Sequence, residues 1–180
     1  MADLHLEVIT PEGVKLDERV DEVVAPSVNG EFGVLPGHLP MLAALNIGLL
    51  HYAREGKTTD VAVGTGFAEV LGDKTLILTD RFITRDEVDV LPVRARLRDV
   101  DEELERWDGA PDDPRRLELV EEEQWLATQL ELYGDPPPPR VLELRRAADF
   151  SGVLPGALED AERGDDEADD DDHEDDREDV

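Results

Sequence analysis

Between Leu4 and Asp89 the chain is interrupted so often by Gly, Pro, Asn and Asp that a helical period has no room to establish itself. The stretches between these breaks are short and alternating. "LHLEVIT" sets Leu4, Leu6 and Val8 against His5, Glu7 and Ile9, and Pro11, Glu12 and Gly13 close it as a turn. "RVDEVVAPS" follows, then "GEFGVLPGHLP" (30–40), then "MLAALNIGLLHYAR", in which Asn46 and Gly48 mark a bend between two apolar runs. "TTDVAVGTG", "FAEVLGDKTLILTD" and "RFITRDEV" complete the series, with Gly72 and Asp73 as a tight hairpin turn. Short strands joined by turns without intervening helices predict an antiparallel β-sandwich or barrel over residues 1–89 rather than a βαβ fold.

After Pro92 the period changes. Val93, Leu97, Val100, Leu104 and Trp107 fall on one helical stripe. "GAPDDP" ends that helix and begins another, with Asp113 as N-cap and Pro114 at the first helical position. In the second helix Leu119, Leu126, Leu130 and Tyr133 share a face that Leu117, Val120 and Ala127 widen. Residues 93–133 therefore read as an antiparallel helical hairpin. "GDPPPPR" stops it and opens a proline-rich spacer, 134–158, with a short helix predicted in "VLELRRAADF".

The chain of 180 residues carries a net charge of -29, and residues 159–180 hold fifteen acids against two arginines. Such a segment buries too little apolar surface to offset the entropy of ordering, so a disordered, solvated tail is predicted. The acidity disfavours a nucleic-acid partner, because phosphate contacts require clustered Lys and Arg. The absence of cysteine excludes disulfides, thiolate catalysis and Cys-ligated zinc. The opening "MADLHLEVIT" lacks the basic and apolar regions of a signal peptide, and no apolar run approaches the roughly 18 residues of a membrane span.

Catalytic patterns fail one by one. Gly64 and Gly66 in "VAVGTGFAEV" suggest a dinucleotide fingerprint, but Glu69 stands at the third glycine position and Gly72 turns the chain before a helix can begin. His5, His38, His51 and His173 have no metal-ligand spacing, and Ser27 and Ser151 lack a nucleophile-elbow context. No catalytic residue, metal site or cofactor is therefore expected. The remaining candidate is "GEFGVLPGHLP": Gly30, Gly33 and Gly37 allow positive φ, Pro36 stiffens the backbone, and Phe32, Val34 and Leu35 suggest an apolar ridge beside Glu31 and His38. It reads either as an ordinary strand connection or as an interface loop of fixed shape.

Three blocks, "LHLEVITPEGV", "GEFGVLPGHLPMLAALNIGLLHY" and "VGTGFAEVLGDKTLILTD", resemble the epsilon subunit of the F-type proton-translocating ATP synthase in order and spacing over residues 4–89. The resemblance implies a ten-stranded β-sandwich followed by a helical hairpin. It implies a non-catalytic rotor component of the central stalk, bound to the gamma subunit and resting on the membrane c ring, on the cytoplasmic face of a bacterial inner membrane. On that resemblance Glu31 faces the c ring and His38 lies near the gamma and c contacts, with Phe32, Leu39 and Met41 included as neighbours. The hairpin departs from the family. ATP-sensing members carry Ile-Asp with an Arg three residues beyond; here Val88 and Asp89 are followed by Pro92, Arg94 and Arg98 are displaced, and Asp101, Glu102, Glu103 and Glu105 would repel a triphosphate. The family's hairpin can also reach the alpha and beta subunits and block hydrolytic rotation through basic residues near its end; this sequence offers only Arg115 and Arg116 before the acidic "VEEEQWL". The alternatives are a free-standing β-sandwich interaction module and an acidic-tailed chaperone or cation buffer.

Overall fold

The computed structural model describes residues 4–135; the expected spacer helix and acidic tail lie outside the described residues. Ten strands, β1 (Leu4–Thr10), β2 (Gly13–Val20), β3 (Glu22–Ser27), β4 (Gly30–Val34), β5 (Met41–Leu45), β6 (Gly48–Arg54), β7 (Lys57–Val63), β8 (Gly66–Leu71), β9 (Lys74–Thr79) and β10 (Phe82–Thr84), precede helices α1 (Val90–Glu105) and α2 (Pro114–Tyr133). Hydrogen bonding runs in the order β10-β7-β6-β3-β5-β8-β9-β1-β2, with β4 on the far side of β3. The single pair Ser27–Leu45 links β3 to β5. That narrow junction is a corner, folding the ladder into two layers: β10-β7-β6-β3-β4 and β5-β8-β9-β1-β2.

The pairing is antiparallel except between β1 and β9, which run parallel from His5–Lys74 to Ile9–Leu78. These strands belong to different hairpins, so no tight turn dictates their relative direction. Alternation puts Leu4, Leu6 and Val8 inside, where they meet Val20, Val23, Leu50, Val61, Val63, Val70 and Ile77 in one dry core. Gly72, with φ 61°, makes the two-residue turn between β8 and β9.

The helices have a second core of their own. Val93, Leu97 and Val100 of α1 pack on Leu119, Leu126 and Leu130 of α2. Three details differ from the sequence reading. Helix α1 begins at Val90, because Pro92 falls in the first turn, where its missing N–H leaves no hydrogen bond unmade. It ends at Glu105, so Trp107 packs on the cluster from the connecting loop, its Nε1 donating to the Ala110 carbonyl at 3.3 Å. Asp113 caps α2 as expected, its carboxylate accepting from the Arg115 N–H at 2.8 Å. Leu117 and Tyr133, expected on the buried face of α2, are exposed, whereas Leu132 is buried. The reason is that α2 has two partners: α1 on one side and the sandwich on the other. Leu132 joins Ala62 and Val88 in a third cluster with Leu49, Ile83, Val90 and Trp125, which lays α2 over the outer face of β6, β7 and β10.

Candidate functional site: a contact loop and an open apolar face

The loop begins with a tight hairpin. Ser27 Oγ donates to the Gly30 carbonyl at 2.6 Å and accepts from the Asn29 N–H at 3.2 Å, and Gly30 takes φ 102°. In β4, Glu31 is exposed opposite Pro26, while Phe32 and Val34 point to the other face. Beyond β4, the His38 N–H donates to the Leu35 carbonyl at 3.0 Å, with Pro36 second and Gly37, φ 81°, third in the turn. Proline then a positive-φ glycine is the pattern of a type II turn. The His38 ring is held by its own neighbour, Nδ1 lying 2.8 Å from the Leu39 carbonyl. A carbonyl only accepts, so Nδ1 donates here and Nε2 is the ring nitrogen left to meet a partner.

The expected apolar ridge is corrected here. Val34 is fully buried and Phe32 packs against the sandwich core, as does Met41. Strand alternation turns them inward; of the expected ridge only Leu35 is exposed, and Leu39 and Leu42 are exposed beyond it. Glu31, His38 and Leu39 are accessible; Phe32 and Met41 support the loop from beneath.

Leu42 leads to a feature that sequence reasoning missed. The cross-strand register aligns Ala44 (β5), Phe67 (β8), Leu78 (β9), Ile9 (β1) and Val14 (β2) in one row across the outer face of the second layer. Phe67 is 55% exposed, Leu78 45% and Val14 58%. The next row runs Leu42, Glu69, Leu76, Glu7 and Asp17, and Leu71 stands exposed beside it. An apolar band thus crosses all five strands with acids along one side. Part of that acidity is already engaged: Lys74 pairs with Glu7 at 2.5 Å, and His5 Nε2 lies 2.6 Å from Asp17. The signal was present in "FAEVL" and "TLIL", whose two alternating phases are both largely apolar, a pattern of strands covered on both faces.

The glycines of "VGTGF" serve packing. A Cβ at Gly66 would stand 1.9 Å from the Leu78 carbonyl oxygen and one at Gly64 2.1 Å from an Asp80 carboxylate oxygen. They let the chain pass close to Leu78 and Asp80, a packing role in place of the rejected phosphate loop. An open cleft of about 560 Å³ between the helices is lined by Arg81, Arg115, Trp125 and Gln129, but also by Glu118 and Glu122. Among the described residues no group of three His, Asp or Glu side chains is placed to hold a metal ion.

The fold is a β-sandwich with a helical hairpin on one outer face and an open apolar band on the other. Residues 3–85 match the family described as the β-sandwich domain of the ATP synthase delta/epsilon chain. The ATP synthase epsilon chain of Carboxydothermus hydrogenoformans is 46% identical over 107 residues, covering 59% of this chain and 80% of its own. That of Lawsonia intracellularis is 46% identical over 92 residues, 51% of this chain and 69% of its own. The fold also matches a chain in a cryo-EM structure of the Euglena gracilis mitochondrial ATP synthase, with TM-score 0.62 and 24% identity over 73% of this chain and 81% of that one. The chain belongs to the ATP synthase epsilon chain family.

Proposed function

We propose that the chain is a non-catalytic central-stalk subunit of ATP synthase that couples rotation of the c ring to the gamma shaft. The observation that carries this reading is the apolar row from Ala44 to Val14, left open on a sandwich whose other outer face is covered by α2. Five paired strands form a stiff platform, and a partner helix with an apolar stripe and basic flanks matches the band and its acidic side. The gamma subunit is the occupant this reading assigns to the row. Glu31, His38 and Leu39 form a second contact toward the c ring, with Phe32 and Met41 fixing the loop's position. Its backbone is already shaped by Gly30, Pro36 and Gly37, so little ordering entropy is lost on docking.

No described helix is long and apolar enough to cross a membrane. The proposed location, the cytoplasmic face of a bacterial inner membrane, is reached through the complex. The test is binding of purified gamma subunit to the full-length chain by calorimetry, followed by ATP synthesis in membranes containing Glu31→Gln/His38→Ala. The reading requires gamma binding and a lowered rate of coupled synthesis in the variant. A folded chain that fails to bind gamma overturns the shaft assignment, and unchanged synthesis overturns the loop assignment.

A further inference from the structure

The sandwich and the hairpin each possess a separate core, and the joint between them is made in a different way from either. Its apolar part has Leu132, Ala62 and Val88 buried, with Leu49, Ile83, Val90 and Trp125 only partly buried against them. Around it stand arginines. Arg81, just after β9, reaches Glu121 on α2 at 3.1 Å, and its guanidinium lies 5.8 Å from the centre of the Trp125 ring one turn further along. Arg85, just after β10, donates to the Tyr133 carbonyl at 3.0 Å and lies 5.9 Å from that residue's ring. The second contact places a cation on the last carbonyl of α2, where the helix dipole is negative. Two cations from one edge of the sandwich therefore hold both the middle and the end of a single helix. From within the hairpin, Arg94 closes the same end by a forked contact with Asp135.

We infer that Arg81 and Arg85 form a two-point electrostatic latch, so that the hairpin releases from the sandwich with rising ionic strength while each unit keeps its own core. The inference is independent of the proposed function. Exposed ion pairs and cation–π contacts are screened by salt, whereas apolar contacts are unchanged or strengthened by it. The sign of the salt response therefore separates a latch of arginines from a joint held by packing. Release exposes Ala62 and Leu132 but leaves the α1–α2 seam and the strand ladder intact.

Hydrogen exchange on the full chain, followed by mass spectrometry, tests this. In the native sequence, amides of 121–133 should exchange at least about tenfold faster in 1 M than in 0.05 M sodium chloride, with β1 and β8 unchanged; tenfold corresponds to about 1.4 kcal/mol. Arg81→Gln/Arg85→Gln should exchange fast in this segment at both salt concentrations. Trp125 emission in a Trp107→Phe background gives a second reading, shifting red with salt only when both arginines are present. Exchange of 121–133 that is insensitive to salt in the native sequence overturns the latch, and so does a double variant that retains the native salt response. The salt titration of the native sequence decides the matter even if the double variant does not fold.

Discussion

The two outer faces of the sandwich carry the same kind of surface and meet different fates. On the first layer, Leu49, Ala62 and Ile83 line up across β6, β7 and β10, and α2 of the same chain covers them. On the second layer, Ala44, Phe67, Leu78, Ile9 and Val14 line up across five strands and remain accessible. A sheet with two apolar faces needs two covers. This chain supplies one within its described residues and, on the proposed function, receives the other from its partner.

The largest expected effect comes from a matched pair of alanines. Ala62→Asp buries an unpaired carboxylate under α2 and should cost about 3 kcal/mol in urea unfolding. Ala44→Asp, at the exposed row, should change stability by no more than about 0.5 kcal/mol. Equal losses at the two positions would erase the distinction between the faces. Next, Phe67→Asp should weaken gamma binding by about 2 kcal/mol, roughly thirtyfold in Kd by calorimetry, with an almost unchanged melting temperature. A smaller change is expected at the loop. Glu31→Gln/His38→Ala should weaken c-ring docking by about 1 kcal/mol in a pull-down with detergent-solubilised ring, leaving gamma affinity as it was.

The smallest effect is a pH dependence confined to the covered side. The forked hydrogen bond from Arg96 holds the Glu122 carboxyl below its ordinary value of 4.5, partly opposed by burial. A lowered folded-state pKa contributes stability that is present above the unfolded value and is lost as pH falls through the folded one. Circular dichroism of the hairpin should therefore show weakening below about pH 4.5, a change absent in Glu122→Gln. Because the pair is partly exposed, the effect should be a few tenths of a kcal/mol.

Much of this was legible in the chain because strand alternation and turn residues are local. Leu4, Leu6 and Val8 had to face one way, and Gly72 with Asp73 had to turn. The loop's turn was legible for the same reason, but its ridge was not. Placing Val34 in the core required knowing which phase of the β3–β4 hairpin faces inward, and that depends on the later strand β6, which pairs with β3. Leu132 and Tyr133 were exchanged for a related reason: one helical period cannot describe a helix packed on two sides. The apolar row was the hardest feature to read, since it exists only after five strands adopt a register and one pairing is parallel.

That parallel pairing has a consequence for how the protein is made. Strand β1 leaves the ribosome first, yet the partner of His5 is Lys74, so its second edge stays unpaired until most of the sandwich has been synthesised. Until then the nascent chain presents a largely apolar strand with open amides and carbonyls, the template on which aggregation begins. Contacts that far apart in sequence also slow the closing step. A chaperone bound to the first hairpin during synthesis is thus most useful before Lys74 emerges and least useful afterwards.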